Sequence, residues 1–299
     1  MGGPMASNLI SSGFEVIGYN RSPEKAKKLL ALGGKVALSA REAAGGADVV
    51  ITMLPDSEAV ESVALGPDGV MAALAPGSLF IDMSTIHPSS AQTVADVGGD
   101  LGISVLDAPV SGGEQGAKDR TLSIMVGGTE DAFEAARPIF ESLGSTVILV
   151  GTHGAGQTVK AANQLIVAGV LQLVSEALVF LDAYGVDPER AIQVLAGGLA
   201  SNAILTRKAP AMLARDFSPG FRVSLHHKDL GIVAQTASEA GIVLPVGQLL
   251  TEVMNSMLEQ GYGHLDHSAL LLNVERLAGK RADLNWPTQT LQLERTNPQ

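Results

Sequence analysis

From residue 1 to about residue 151, short and continuously apolar runs alternate with amphipathic stretches that open on a capping residue and close on glycine. The runs at 14–19, 49–54, 79–83, 104–108, 122–126 and 147–150 predict strands. Most are apolar at successive positions, the pattern of strands buried on both faces of a parallel sheet. Helix signals lie between them: Ser22-Pro23 before 24–32 with Gly33 behind, His87-Pro88 before 89–97, and Thr129-Glu130-Asp131 before 132–143 with Gly144 behind. Strand and helix therefore alternate, which predicts a doubly wound α/β domain with right-handed crossovers.

After Gly151 the strand-like runs vanish. Residues 158–184 form one helical pattern without an internal proline and with apolar residues nearly all round, as expected of a helix covered by other helices or by a partner subunit. Further helices are predicted at 188–195, 209–215, 225–239, 246–260 and 267–277. The division expected is a first domain over 1–151, an all-helical second domain over 152–280, and a loose polar tail over 281–299 that carries Trp286.

Composition narrows the function. With 46% hydrophobic and 17% charged residues among 299, the chain can bury enough surface to offset its ordering entropy. A formal net charge of -11 opposes phosphate backbones and anionic lipid, so no nucleic acid or membrane partner is expected, and any anionic ligand must be met by a local cluster of donors. The absence of cysteine removes disulfides, thiolate nucleophiles and thiolate metal sites. No basic segment followed by an apolar run opens the chain, and the longest apolar stretch, 165–171, is far short of the ~20 residues of a membrane helix. A cytoplasmic location is expected. His264-x-x-His267 lacks a third ligand, so no metal is expected.

Six segments can carry chemistry. Met1-Gly2-Gly3-Pro4-Met5 opens a helix whose free N–H groups could receive a pyrophosphate, or is a flexible terminus. Asn20-Arg21-Ser22 follows a strand where dinucleotide-binding domains meet the adenosine ribose; a neutral Asn20 with Arg21 beside it favours the 2'-phosphate of NADP(H) over NAD(H), unless Arg21 is only a solvated charge. Leu54-Pro55 and Ser84-Thr85 end two strands at the sheet's carboxyl edge, as ligand-lining residues or as plain turns. In Asp107-Ala108-Pro109-Val110-Ser111-Gly112-Gly113 the glycines could aim backbone N–H groups at a small carboxylate, with the Ser111 hydroxyl as a further donor. Lys160, Asn163 and Gln164 stand at i, i+3 and i+4, on one face at the head of the long helix. An ammonium there can polarise a carbonyl and deliver a proton, or can simply snorkel to water.

In this order the motifs resemble the β-hydroxyacid dehydrogenase family, and the likeness runs to about Lys280, through the segments 1–9, 53–55, 84–86, 107–113, 121–128, 154–163 and 228–230. Segments 197–201, 219–222 and 266–270 are most similar to its 2-hydroxy-3-oxopropionate (tartronate semialdehyde) reductase branch. The resemblance implies a Rossmann-like doubly wound sheet followed by an all-α domain, and reversible hydride transfer between NADP(H), or NAD(H), and a small carboxylate substrate. It implies Lys160 as the acid in reduction and base in oxidation, with Asn163 orienting it or the substrate. Ser111, Gly112, Gly113 and Gln164 would bind substrate. Gly2, Asn20, Arg21, Ser22, Leu54, Pro55, Thr85 and Lys228 would meet the cofactor. A homo-oligomer is expected, to cover the long helix.

The chain departs from the family in lacking its first strand and leading glycines, so the functional chain is expected to begin about ten residues upstream. Arg120 stands where a glycine is usual, so the turn before Thr121 is expected to be strained. Alternatives are a 3-hydroxyisobutyrate dehydrogenase, or a family-shaped scaffold that no longer catalyses. Ser201-Asn202, with no tryptophan near, is read as a polar pocket that favours the reductase.

Overall fold

The computed structural model describes residues 1–280; the tail expected over 281–299 lies outside them. The chain divides into two units, Met1–Asn163 and Gln164 onward. The first runs α1 (Gly2–Ser11), β1 (Ile17–Gly18), α2 (Pro23–Lys27), β2 (Lys35–Val36), α3 (Ala40–Ala44), β3 (Val49–Thr52), α4 (Ser57–Leu65), β4 (Leu79–Asp82), α5 (Pro88–Asp100), β5 (Ser104–Asp107), β6 (Val110–Ser111), α6 (Gly113–Asp119), β7 (Leu122–Gly127), α7 (Glu130–Glu141) and β8 (Gly144–Gly151), then the first turns of the long helix α8 (Ala155–Ala183).

Strands β1 and β2 pair in parallel as a two-stranded sheet. The larger sheet has the order β3-β4-β5-β7-β6, with β8 added to β7. Its continuously apolar strands supply two cores. Leu79, Ile81 and Leu106 point to one face, with Met5, Leu9, Phe133 and Phe140. Phe80 and Val105 point to the other, with Val60, Met71, Ile86 and Val94. Alternation is therefore present, but both alternating sets are apolar because helices cover both faces.

The sheet is mixed, not wholly parallel as its strand pattern predicts. β3, β4 and β5 are parallel, whereas β7 runs antiparallel to β5 and β6 and parallel to β8. The reason lies in the link 112–121, which holds only the two-turn α6; a parallel crossover needs a dozen or more residues. The run at 14–19 contributes just two strand residues, because its partner β2 is equally short, while Phe14 and Val16 pack on the core instead.

At the carboxyl ends of β3, β4 and β5 the register aligns three polar residues in a row: Thr52 opposite Asp82, and Asp82 opposite Asp107. All three are buried. They floor the candidate site.

The second unit holds the rest of α8, then α9 (Pro188–Ala196), α10 (Ala203–Arg207), α11 (Ala209–Leu213), α12 (Val223–Glu239), α13 (Pro245–Glu259) and α14 (Leu270–Leu277). Within it α8 buries Ala168, Leu171, Val174 and Leu178, spaced three and four apart, and exposes Ile166, Leu173 and Phe180. Among the described residues α8 is the one helix long and apolar enough to cross a membrane, a test that a core helix also passes. Around Asp266 a hub forms: its Oδ2 accepts from the N–H groups of Gly220 and Phe221, its Oδ1 from Ser268, and the Lys208 ammonium lies 2.9 Å from both oxygens.

Candidate active site

The site is built on the head of α8. Asp107, at the end of β5, takes the place of a helix cap: Gly154 N–H donates to its Oδ1 at 2.8 Å and Gln157 N–H to its Oδ2 at 3.0 Å. Both donors would otherwise be orphans of the helix start. At Gly156 a Cβ would fall 2.4 Å from the Met125 carbonyl oxygen and 2.8 Å from Asp107 atoms, so only glycine lets the helix rest on the strand ends.

One turn further, Lys160 is buried at 6% exposure, and its Nζ donates to the Val110 carbonyl at 2.7 Å. Ser111, Gly112 and Gly113 follow directly. Gly112 and Gly113 have φ of 135° and 67°, which side-chain-bearing residues rarely adopt, so the turn between β6 and α6 requires both glycines. The ammonium and the serine–glycine turn, read separately from sequence, are therefore brought together. Asn163 lies half-buried on the same helix, one turn on. Gln164, in the second unit, donates from Nε2 to Asp229 Oδ2 at 2.6 Å, while its backbone carbonyl meets His226 Nε2 at 3.0 Å. Lys228 pairs with Asp229 at 3.0 Å.

Leu54 and Thr85 border the same strand ends. Leu54 N–H donates to Ser84 Oγ, and Ser84 Oγ donates to Asp82 Oδ1 at 2.6 Å, which also accepts from Thr52 Oγ1 at 2.7 Å. Oδ2 of Asp82 is buried without a hydrogen-bond partner. Burial pushes Asp82 up to about 6 in spite of Ser84 and Thr52, and Asp107 adds to the rise. Asp107 is also raised, again by burial, against the N–H groups of Gly154 and Gln157. Pro55 is exposed at the end of the same segment.

The helix α1 is suited to an anion: its ten residues carry no side-chain cap and no acid in the first turn, and a Cβ added at Gly3 would meet nothing within 4 Å. Asn8 ties it to α6 by donating to the Ala117 carbonyl. Gly2 heads this helix half-buried. Asn20 Oδ1 accepts from Ser22 N–H at 2.9 Å, closing a turn that leaves Asn20, Arg21 and Ser22 exposed. These residues fit a dinucleotide phosphate.

Asn202 Oδ1 caps α10 through Leu205 N–H, and its Nδ2 donates to the Ala200 carbonyl. His264 and His267 turn to different partners, the Gly261 carbonyl and His226. Among the described residues no cluster of three metal-ligating side chains is present. Arg120 does close α6 in the left-handed region at φ 59°, as its place in the turn predicts. Asp107 and Gln157 were legible only as parts of motifs, because their partners lie 47 to 73 residues away.

An α/β nucleotide-binding unit with a buried lysine beside a serine–glycine turn defines a class of oxidoreductase, and the comparisons fix which one. Residues 1–151 match the family described as the NAD binding domain of 6-phosphogluconate dehydrogenase, and residues 154–274 the one described as NAD-binding of NADP-dependent 3-hydroxyisobutyrate dehydrogenase. The chain belongs to the 3-hydroxyisobutyrate dehydrogenase-like family, and is an NAD(P)-dependent β-hydroxyacid dehydrogenase acting on a CH–OH group. It is 43% identical to the 2-hydroxy-3-oxopropionate reductase of Escherichia coli, over 94% of this chain and 96% of that one. A 3-hydroxyisobutyrate dehydrogenase of Mycobacterium tuberculosis with L-serine is 35% identical, with a TM-score of 0.81 over 92% of this chain and 95% of that one. Psf3 in complex with NADP+ and 2-OPP is 26% identical, with a TM-score of 0.84 over 91% and 95%. NADP(H) is the favoured cofactor, and NAD(H) is compatible with the family.

Proposed function

We propose that the protein reduces 2-hydroxy-3-oxopropionate to glycerate with NADP(H), and that Lys160 is its proton donor. The observation that carries this reading is the Lys160 Nζ, buried and 2.7 Å from the Val110 carbonyl, at the threshold of the Ser111–Gly113 turn. The substrate follows the 43% identical reductase of E. coli. In this reading residues 1–151 bind the dinucleotide, and residues 152–280 carry the proton donor and the helical substrate domain.

In this reading the Ser111 hydroxyl and the N–H groups of Gly112 and Gly113 hold the substrate carboxylate, with Gln164 nearby. Lys160 points its ammonium at the aldehyde oxygen, and Asn163 orients Lys160 or the substrate. The nicotinamide, when bound, supplies the hydride to the aldehyde carbon. As that C–H bond forms, the carbonyl π pair becomes an oxygen lone pair and takes a proton from Nζ, leaving a primary alcohol and a neutral amine that solvent reprotonates. In oxidation Lys160 accepts the same proton. Gly2 meets the phosphates; Asn20, Arg21 and Ser22 the adenosine end; Leu54, Pro55, Thr85 and Lys228 line the remainder. A cytoplasmic homo-oligomer is part of the reading, supported by the exposed Ile166, Leu173 and Phe180 of α8; light scattering on the purified chain tests it.

The second reading is a 3-hydroxyisobutyrate dehydrogenase, favoured by the 35% identical M. tuberculosis enzyme. Steady-state assays with both substrates and both cofactors decide. The reductase reading expects kcat/KM for 2-hydroxy-3-oxopropionate to exceed that for 3-hydroxyisobutyrate; equal or better turnover of the latter removes it.

A further inference from the structure

Gln157 has no part in the chemistry proposed above, yet it is a fully buried amide at 1% exposure with both of its polar atoms engaged. Its Oε1 accepts from Ile86 N–H at 3.1 Å, and its Nε2 donates to the Ser84 carbonyl at 2.9 Å. These two bonds bracket Thr85. Its backbone N–H is held by Asp107, which also holds Gly154, so both the height and the rotation of this helix turn are set. The contact at Gly156 leaves no slack for the helix to slide toward the sheet. Three residues on, Lys160 lies on the same helix face and is anchored to the Val110 carbonyl.

We infer that Gln157 is a positioning residue: clamped by Asp107, it fixes the separation between the Thr85 segment and the Lys160 ammonium, and so aligns the proton donor with the place where hydride is exchanged. The inference rests on the proposed role of Lys160. An apolar side chain of like volume would fill the space, but could not hold the Ser84–Ile86 backbone at a defined height. A glutamate would keep the acceptor for Ile86 N–H, lose the donor to the Ser84 carbonyl, and set a carboxylate oxygen against that carbonyl. A neutral amide satisfies both neighbours at once.

The test compares the full chain with Gln157→Leu and Gln157→Glu in four measurements: thermal melting, NADPH affinity by fluorescence, kcat and KM, and the titration of Lys160 in the ligand-free protein by NMR of 13Cε-labelled lysine, assigned with Lys160→Arg. The expected result for Gln157→Leu is a kcat about ten- to a hundredfold lower, with KM and NADPH affinity within about threefold, since misplacement of a proton donor acts on the chemical step. The Lys160 titration midpoint shifts by at least about half a pH unit, as its surroundings change. Gln157→Glu gives the same split with a smaller loss, and decides the matter if the leucine variant does not fold. Unchanged kcat, or a Lys160 titration that superimposes on the parent's while only the melting temperature falls, overturns the inference. A loss of kcat/KM wholly matched by loss of NADPH affinity also overturns it. The titration needs no substrate. A parent without hydroxyacid turnover therefore strikes the proposed function, whereas an unmoved titration strikes only the role of Gln157.

Discussion

Asp107 and Asp266 are both buried at 2% exposure, and each gathers backbone N–H groups from a distant stretch of chain, yet their electrostatics are opposite. At Asp266 burial by itself would raise the carboxyl, but His267, the Lys208 ammonium and the N–H groups around it outweigh burial and hold it at about 2. At Asp107 burial prevails. The N–H groups of Gly154 and Gln157 are its main support, and it stays raised, with the likewise raised Asp82 beside it in register. One clamp is a charge-paired staple within the helical unit. The other caps the head of α8 one turn before Lys160, whose Nζ donates to the Val110 carbonyl.

The largest effect expected is at the reactive clamp. Lys160→Ala lowers kcat by roughly a hundred- to ten-thousandfold, the usual range for removal of an acid–base group, while NADPH affinity stays within about threefold; steady-state kinetics and a fluorescence titration measure the two. Parallel loss of both erases the distinction between chemistry and phosphate binding.

At the staple, Asp266→Asn removes the partner of Lys208 and costs roughly 2–4 kcal/mol of stability, read by urea unfolding, with kcat unaffected in the fraction that folds. Because the folded pKa of Asp266 is depressed, its contribution is fully present above 3.8 and is lost as pH falls from 3.8 through about 2.

Asp82 has the opposite sign. Its folded pKa is raised, so the folded state takes up a proton that the unfolded chain does not, and stability falls as pH rises from 3.8 through about 6. Asp82→Asn keeps an acceptor for Thr52 and Ser84 and cannot ionise. It flattens this limb of the stability curve and leaves the variant more stable than the parent at pH 8; a variant curve parallel to the parent's between pH 4 and 7 would refute the assignment. The smallest effect is at Arg120, whose left-handed backbone at φ 59° costs a side-chain-bearing residue about 1 kcal/mol. Arg120→Gly is expected to raise the melting temperature by a few degrees.

Strands β4, β5 and β7 are legible because burial on both faces makes them apolar at successive positions, and Lys160 stands out because an ammonium leads an otherwise apolar helix. β2 and β6 were not legible: two-residue strands carry no period. Gly112, Gly113 and Gly116 give α6 the look of a loop, and the one sequence mark of α4 is Asp56, which caps it through Ala59 N–H. The antiparallel β7 follows from the shortness of a link, not from its own pattern. Asp107 and Gln157 escape a linear reading for a different reason. Their partners are 47 to 73 residues distant, and nothing local in either residue tells that a strand end will cap a helix or that an amide will bracket Thr85.

The central claim is that the Lys160 ammonium, lodged beside the serine–glycine turn, passes a proton to the substrate oxygen. Chemical rescue of Lys160→Ala tests it most directly, because the truncated side chain leaves room for a small primary amine. The account predicts that methylamine and ethylamine restore turnover in proportion to the concentration of the protonated amine, with no change in NADPH affinity. Turnover by Lys160→Ala equal to the parent's without any amine, or a disabled variant that folds, binds NADPH and is restored by none, would contradict it.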